Sequence, residues 1–411
     1  ENELDKARLD YETFRADLYA AHPSLQAQRG EAKIITDQEI SDLLLQKPNR
    51  VFLEYAVTDD ATYLFVISKK KKTNSVSPVE INIHKIPISQ KDLSLKTNSF
   101  RQAIANRDEY EKSGRELYNL LIAPAELSLK GKKEIVIVAD SALWNLPFQA
   151  LINQQNHFLL EDFVLSYAPS LTALREMQKI SENHAAQPET QNYLLAFGNP
   201  TFETNQIEKQ INTAILRGDE TLLSLPEAEE EVKSLGNLYG KQRSKIYLKK
   251  EATEDRAKNE SGKFKIIQFA THGVFNDANP LYSYLLLSPN TELGEDGMLE
   301  ARELMNLNLS ADLVVLSACE TARGRVGTGE GLTGMTWALF NAGVPSTVAS
   351  QWKVSSAGTT EIMRDFHRLL LDKTQSNDKA KALRQAELNF LRGKNYKHPY
   401  YWAGFILIGN N

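Results

Sequence analysis

Short, unbroken runs of apolar residues recur along most of the chain after residue 130. The run EIVIVAD (134–140) is rich in β-branched residues, as expected for a strand that is buried on both faces. Six further segments have the same character: FVLSYA (163–168), YLLAFG (193–198), KIIQFATHG (265–273), DLVVLSAC (312–319), STVASQW (346–352) and FILIG (405–409). Helical patterns lie between several of them, at 226–240, 331–343 and 359–371. This alternation predicts an α/β fold with a mostly parallel sheet flanked by helices.

The first part of the chain has other patterns. Residues 3–21 have apolar positions at helical spacing, and a second helix is predicted to begin at Thr36, where Glu39 completes a capping box. Two β-rich runs on either side of an Asp-Asp pair predict a hairpin over 51–70. From about residue 98 to 121 the pattern predicts one long helical stretch.

Composition excludes several classes of protein. A net charge of -5 gives no general attraction to nucleic acid or to anionic lipid, and the Lys69–Lys72 run is typical of an exposed loop tip. No apolar run approaches the roughly 20 residues of a membrane span. A single cysteine in 411 residues excludes an internal disulfide and multi-cysteine metal sites, and no cofactor or metal is expected.

The first residue and the cysteine content indicate the setting in which the chain occurs in the cell. The chain begins with Glu1 in place of a start methionine, so we expect a segment of a longer protein. No apolar signal segment follows Glu1. The low cysteine content is typical of a cytoplasmic protein.

Two of the predicted strands end in reactive residue types. His272, followed by Gly273, ends one strand, and Cys319 ends another 47 residues later, close to the spacing of roughly 50 between histidine and cysteine in caspases. A histidine beside a thiol favours the reactive thiolate, and main-chain N–H groups of Gly273 and Cys319 could stabilise an oxyanion. Taken separately, a cysteine in an apolar strand is more often core, and a lone histidine is more often structural. Their order, spacing and shared position at strand ends favour a catalytic dyad.

At these residues the chain resembles the CHAT-domain family of caspase-like cysteine peptidases. The matching segments are QFATHGVFN (268–276), LVVLSACETARG (313–324), residues 329–354 and HPYYWAGFILIG (398–409). Upstream, residues 139–151, 166–174 and 224–232 also resemble the family, so the resemblance covers roughly residues 98–411. The resemblance implies a caspase–haemoglobinase fold in which His272 is the base, Cys319 is the nucleophile and the Gly273 N–H contributes to the oxyanion hole.

The same resemblance suggests four regions. These are an N-terminal arm or linker (1–30), a small region with the hairpin (31–97), the N-terminal part of the CHAT domain (98–190) and its catalytic part (191–411). Polar residues 181–192 are predicted to be an internal linker or an exposed loop that proteases can cut. Residues 18–30 look like the segment that joins such domains to tetratricopeptide repeats, although no repeat occurs in this chain.

Substrate-contacting residues are predicted less directly. If the S1 pocket binds Arg or Lys, it needs a carboxylate, and Asp140 at the end of EIVIVAD is the first candidate. A turn or helix-capping role for this aspartate is at least as common. Asp277 and Glu320 are weaker candidates, and Gln351 and Trp352 are further candidates for substrate contact.

A glycine-rich segment follows the cysteine. Residues 324–334 contain a literal G-x-G-x-x-G at 329–334, but the segment begins several residues after the strand and no ribose-binding acid follows the next run, which argues against a dinucleotide site. The segment is either a loop that reshapes a substrate groove or a plain surface loop. The acidic run Glu229–Glu231 is predicted to be an exposed helix face.

Three functions remain open at this stage. The first is a cysteine endopeptidase that acts on a protein or peptide substrate. The second is a non-proteolytic caspase-like interaction module. The third is a latent protease that an N-terminal repeat domain or an activating partner releases.

Overall fold

The computed structural model describes eight stretches of the chain. They are residues 33–70, 78–188, 191–202, 224–274, 280–317, 334–352, 356–372 and 378–411. The helix predicted at 3–21 therefore lies outside the described residues.

Twelve α-helices and fourteen strands are present in these stretches. The helices are α1 (Asp37–Leu45), α2 (Gln90–Asn106), α3 (Glu111–Leu121), α4 (Glu126–Leu129), α5 (Leu159–Asp162), α6 (Leu171–Ala185), α7 (Pro226–Tyr239), α8 (Glu254–Glu260), α9 (Ala301–Leu304), α10 (Met335–Asn341), α11 (Ser356–Leu371) and α12 (Lys379–Arg392). The strands are β1 (Arg50–Val57), β2 (Thr62–Lys69), β3 (Val79–Ile86), β4 (Glu134–Val138), β5 (Val164–Ala168), β6 (Leu194–Gly198), β7 (Ser244–Leu248), β8 (Ile266–Ala270), β9 (Gly273–Val274), β10 (Tyr284–Leu286), β11 (Met298–Glu300), β12 (Leu313–Leu316), β13 (Ser346–Ser350) and β14 (Phe405–Gly409).

One large sheet organises the fold. Its 11 strands have the order β3-β2-β1-β4-β5-β14-β13-β12-β8-β6-β7. Strands β13, β12, β8, β6 and β7 pair in parallel, and so do β1, β4 and β5, whereas β14 runs antiparallel to β13. Strands β4, β5, β6, β8, β12, β13 and β14 are buried along their whole length, as parallel strands covered by helices require. The predicted α/β fold with a mostly parallel sheet is confirmed.

The N-terminal elements extend this sheet. The predicted hairpin is confirmed as β1 and β2, and β1 also pairs in parallel with β4. Helix α1 begins where the capping box predicted, because the Thr36 hydroxyl accepts a hydrogen bond from the Glu39 N–H and the Glu39 carboxylate accepts one from the Thr36 N–H. The hairpin region and the later strands therefore form one continuous layer.

Two predicted elements differ from the structure. The helical stretch 98–121 is two helices, and the first of them already begins at Gln90. They separate at Arg107, whose φ of 63° is left-handed and ends α2. The linker predicted at 181–192 begins too early, because α6 continues through Ala185.

The carboxyl ends of the parallel strands meet at one edge of the sheet, which we call the carboxyl edge. The side chain of Gln351, directly after β13, donates a hydrogen bond to the carbonyl of Trp144, which follows β4, over 2.9 Å. The ends of β4 and β13 therefore lie at the same edge, together with those of β8 and β12. No helix in the described stretches is long and apolar enough to cross a bilayer.

Candidate active site

The end of β8 is held in place by main-chain bonds on the side of β10. The His272 carbonyl accepts a hydrogen bond from the Leu286 N–H at 2.9 Å, and the buried Thr271 hydroxyl donates to the Leu286 carbonyl. Directly after the histidine, Gly273 pairs with Leu285 in a second, three-stranded sheet of β9, β10 and β11. The main chain on both sides of His272 is thus part of regular pairing, while its side chain is only partly buried.

Strand β12 lies directly beside β8. Leu316 pairs with Phe269, and the Ser317 N–H donates to the Phe269 carbonyl at 3.1 Å. Cys319 lies outside the described residues, as do the glycine-rich segment 324–333 and the two weaker carboxylate candidates, Asp277 and Glu320. The described chain ends two residues before the proposed nucleophile.

A buried polar cluster lies beneath these strand ends, and the sequence patterns did not indicate it. Glu231 of α7 is 1% exposed, so the prediction of an exposed acidic face is wrong for this residue. Its Oε1 accepts hydrogen bonds from Gln268 Nε2 at 2.7 Å and from Ser317 Oγ at 2.7 Å. Gln268 Nε2 also lies 2.8 Å from Ser317 Oγ. These three residues, which we call the Glu231 cluster, link α7, β8 and the end of β12.

The cluster continues into α11. His367 Nε2 lies 3.1 Å from Gln268 Oε1, and His367 Nδ1 lies 3.0 Å from the Tyr239 hydroxyl. Burial lowers the pKa of His367 to about 3, so the ring is neutral at pH 7. Since Gln268 Oε1 can only accept, the neutral ring donates from Nε2 and accepts the Tyr239 hydroxyl proton at Nδ1. The hydrogen bonds therefore run in one direction, toward Glu231.

The charge state of Glu231 is unusual. Burial raises its pKa to about 8, although the hydrogen bonds from Ser317 and Gln268 act in the opposite direction. At pH 7 the carboxyl group is thus mostly protonated and titrates within the range in which most enzymes work.

The start of α7 explains why Glu231 points into the sheet. Asn199, directly after β6, accepts a hydrogen bond from the Leu225 N–H at 2.7 Å and donates one to Glu229 at 3.0 Å. Gly198 lets the helix approach closely, because a Cβ there would lie 2.7 Å from a methyl group of Val232. Glu229 is therefore also engaged with the fold, whereas Glu230 between them remains 70% exposed at its side chain.

Asp140 lies at the carboxyl edge but far along it. Four strands separate β4 from β8 in the sheet, which corresponds to about 24 Å at about 4.8 Å per strand spacing. Its carboxylate accepts a hydrogen bond from the Val57 N–H at 2.7 Å, and it does not cap the following short 3₁₀ helix. The strand order therefore disfavours Asp140 as the base of an S1 pocket beside His272, and the side chain instead joins β4 to the end of β1.

The two other candidates for substrate contact lie in the core. Trp352 is 1% exposed, and its ring N–H donates to the Tyr400 carbonyl at 3.2 Å. Gln351 is 3% exposed and bonds to the Trp144 carbonyl. Both side chains have structural partners, and their contact with substrate stays a prediction.

Three carboxylates near β10 surround one lysine. Lys258 Nζ lies 2.7 Å from Glu254, 2.6 Å from Glu295 and 2.8 Å from Glu303. A second oxygen of the buried Glu254 accepts from the Gly297 N–H at 2.7 Å. The ammonium group takes the central position between the acids and fastens the β10–β11 connection to α8.

Comparison with known protein families identifies one family whose model matches most of this chain. The model of the CHAT domain matches residues 111–410. Tetratricopeptide repeat protein 28 of Mus musculus is 27% identical over 343 residues, and its Homo sapiens counterpart is 26% identical over 338 residues. Each alignment covers 72% of this chain but 13% of the relative, so the chain spans a small part of the length of these relatives.

Solved structures show weaker similarity. The Saccharomyces cerevisiae separase–securin complex aligns with 98% of this chain and 25% of the other chain, at 11% identity and a TM-score of 0.42. The Arg-specific cysteine proteinase gingipain R aligns with 76% of this chain and 67% of the other, at 9% identity and a TM-score of 0.42. Similarity at this level says nothing about activity.

Proposed function

The chain belongs to the CHAT-domain family, and from this premise we propose that it is a cysteine endopeptidase with Cys319 as nucleophile and His272 as general acid and base. The register of β12 and β8 carries the proposal. Leu316 pairs with Phe269, and from that pair the chain continues three residues to Cys319 and three residues to His272. Neighbouring strands lie about 4.8 Å apart, so equal offsets from one register pair favour a thiol and an imidazole within reach of each other.

The proposed reaction follows from these two groups. The Cys319 thiolate attacks the carbonyl carbon of the scissile peptide bond, forming an Sγ–C bond, and protonated His272 delivers its proton to the leaving amine as the C–N bond breaks. Neutral His272 then takes a proton from water while the hydroxide attacks the thioester carbon, and breaking of the C–Sγ bond releases the acid and restores the thiolate and protonated His272. The Gly273 N–H, directly after the proposed base, is the expected main-chain donor to the oxyanion.

Protein partners are part of the proposal. The relatives are named for tetratricopeptide repeats, and this chain matches 13% of their length. We therefore expect a regulatory repeat region or an activating partner to act on the peptidase. The same observation favours a second candidate, a non-proteolytic interaction module carried by a long repeat protein.

Cleavage-site profiling distinguishes the two functions. Wild type, Cys319→Ala and His272→Ala are incubated with denatured casein and with peptide libraries, and the products are identified by mass spectrometry. His184→Ala is the matched control, because that histidine bonds to Asp312 at the opposite end of β12. We expect cleavage by wild type and His184→Ala and a loss of at least about a hundredfold in the other two variants. Equal products from wild type and Cys319→Ala would reject the peptidase and leave the interaction module.

A further inference from the structure

The Glu231 cluster joins the two strands that lead to the proposed dyad. Gln268 lies in the middle of β8, four residues before His272, and Ser317 follows β12, two residues before Cys319. One oxygen of Glu231 accepts a hydrogen bond from each of them at 2.7 Å. A single carboxyl group on α7 therefore links the segment that precedes His272 to the segment that precedes Cys319.

The surroundings make this bridge rigid. Gln268 and His367 are 0% exposed, and Glu231 is 1% exposed. The amide of Gln268 is held from the other side by His367, which is held in turn by Tyr239. The titratable groups connected to the carboxyl group through Gln268 are thus His367 of α11 and, through His367, Tyr239 of α7. Fully satisfied polar networks of this kind fix one arrangement of a core.

A wholly apolar set of side chains in place of the three cluster residues would pack here at lower cost. Burial of a carboxyl group is unfavourable even when it is hydrogen-bonded, and apolar replacements of buried polar groups are often neutral or stabilising. The arrangement is therefore difficult to explain by stability alone. The Glu231 carboxyl group instead contacts β8, which leads to His272, and the residue after β12, which leads to Cys319.

We propose that Glu231 is a positioning residue that holds Ser317 against Gln268 and so sets the chain leading to Cys319 relative to the chain leading to His272. This inference rests on the proposed dyad. The carboxyl group contacts neither substrate nor the reacting atoms in this scheme, and it acts through the two side chains that it bridges.

Alkylation of the single cysteine tests this role without any peptidase activity. The rate of Cys319 modification by iodoacetamide is measured by intact-mass spectrometry from pH 5 to pH 9.5 on the full chain. In wild type we expect the midpoint of the profile below about 8.5, the value of a free thiol, because His272 favours the thiolate. The His272→Ala profile should lie near that value.

Four further variants test the hydrogen bonds that Glu231 makes with Gln268 and Ser317. Glu231→Ala removes both hydrogen bonds and Ser317→Ala removes one, and we expect their alkylation at pH 6.5 to fall at least about threefold toward the His272→Ala rate. Glu231→Gln keeps an oxygen that accepts from both partners and should retain the wild-type profile. Glu230→Gln is the matched control, since it changes the exposed neighbouring carboxylate. Circular dichroism establishes that each variant is folded, and Ser317→Ala decides the matter if Glu231→Ala is not.

The outcomes separate the two hypotheses. A wild-type profile in Glu231→Ala and Ser317→Ala, with a shifted profile in His272→Ala, would overturn the positioning role and leave the dyad intact. Identical profiles for wild type and His272→Ala would overturn the dyad, and the positioning role with it. If Glu231→Gln slows Cys319 alkylation as much as Glu231→Ala does, hydrogen-bond acceptance by residue 231 is not what positions the cysteine, and the proposal is overturned.

Discussion

Replacing Glu231 by glutamine should reduce the loss of stability that the fold suffers between pH 6 and pH 8.5. Burial raises the pKa of this carboxyl group from its ordinary 4.5 to about 8 in the folded protein. For an acid with a raised folded pKa, the protonated form is the one that folding favours. Its contribution is complete below pH 4.5 and is lost progressively as the pH rises to about 8.

The magnitude follows from linkage. Each pH unit between the unfolded and folded pKa values removes roughly 1.4 kcal/mol of unfolding free energy, so the total loss through this group is about 5 kcal/mol. Between pH 6 and pH 8.5 the loss is about 2 to 3 kcal/mol. Glutamine has a similar shape, keeps an acceptor for Gln268 and Ser317 and does not titrate. The difference in stability between variant and wild type should therefore grow by that amount over this interval.

Urea unfolding at pH 6, 7 and 8.5, followed by tryptophan fluorescence, measures the difference. Glu230→Gln makes the same replacement at a side chain that is 70% exposed, and its difference from wild type should remain nearly constant. If the Glu231→Gln difference is also constant with pH, the carboxyl group titrates normally in the folded state and the argument from burial is refuted.

Two other substitutions test the packing around the site. Lys258→Met should lower the unfolding free energy by about 3 kcal/mol, because three carboxylates lose their common partner. Burial raises the pKa of Glu254 to about 7, so thermal melts should show a smaller loss at pH 5 than at pH 8, and a pH-independent loss would contradict this. Trp352→Ala should cost about 3 to 5 kcal/mol and Trp352→Phe clearly less, and equal melting temperatures of these two variants would exclude a core role for the ring.

Much of the fold could be predicted because its signals are local. Continuous apolar runs located the buried strands β4, β5, β6, β8, β12, β13 and β14 to within three residues at each end. The capping box at Thr36 located the start of α1, and the turn in the hairpin separated β1 from β2. Strand β3 was missed because it lies at the sheet edge, where all residues between the buried Val79 and Ile86 are exposed or partly buried.

Other features depend on contacts between distant parts of the chain. The acids of α7 look like a solvated face, and only the packing of the helix on β8 and β12 buries Glu231. Similarly, Asp140 was expected near the dyad because it lies at the carboxyl end of a predicted parallel strand, as His272 and Cys319 do. The order of strands in the sheet separates Asp140 from β8, and no local pattern contains that order.

The position of β14 has a consequence for how the chain is made. This strand, residues 405–409, follows all the others in sequence, yet it lies in the sheet between β5 and β13. During synthesis, β1 to β5 and β6 to β13 can each begin to pair, but the two groups of strands stay apart until β14 has emerged from the ribosome. Pairing over such long sequence separations is slow. The nascent chain therefore exposes two unpaired strand edges, at β5 and β13, until residue 409 is available for pairing.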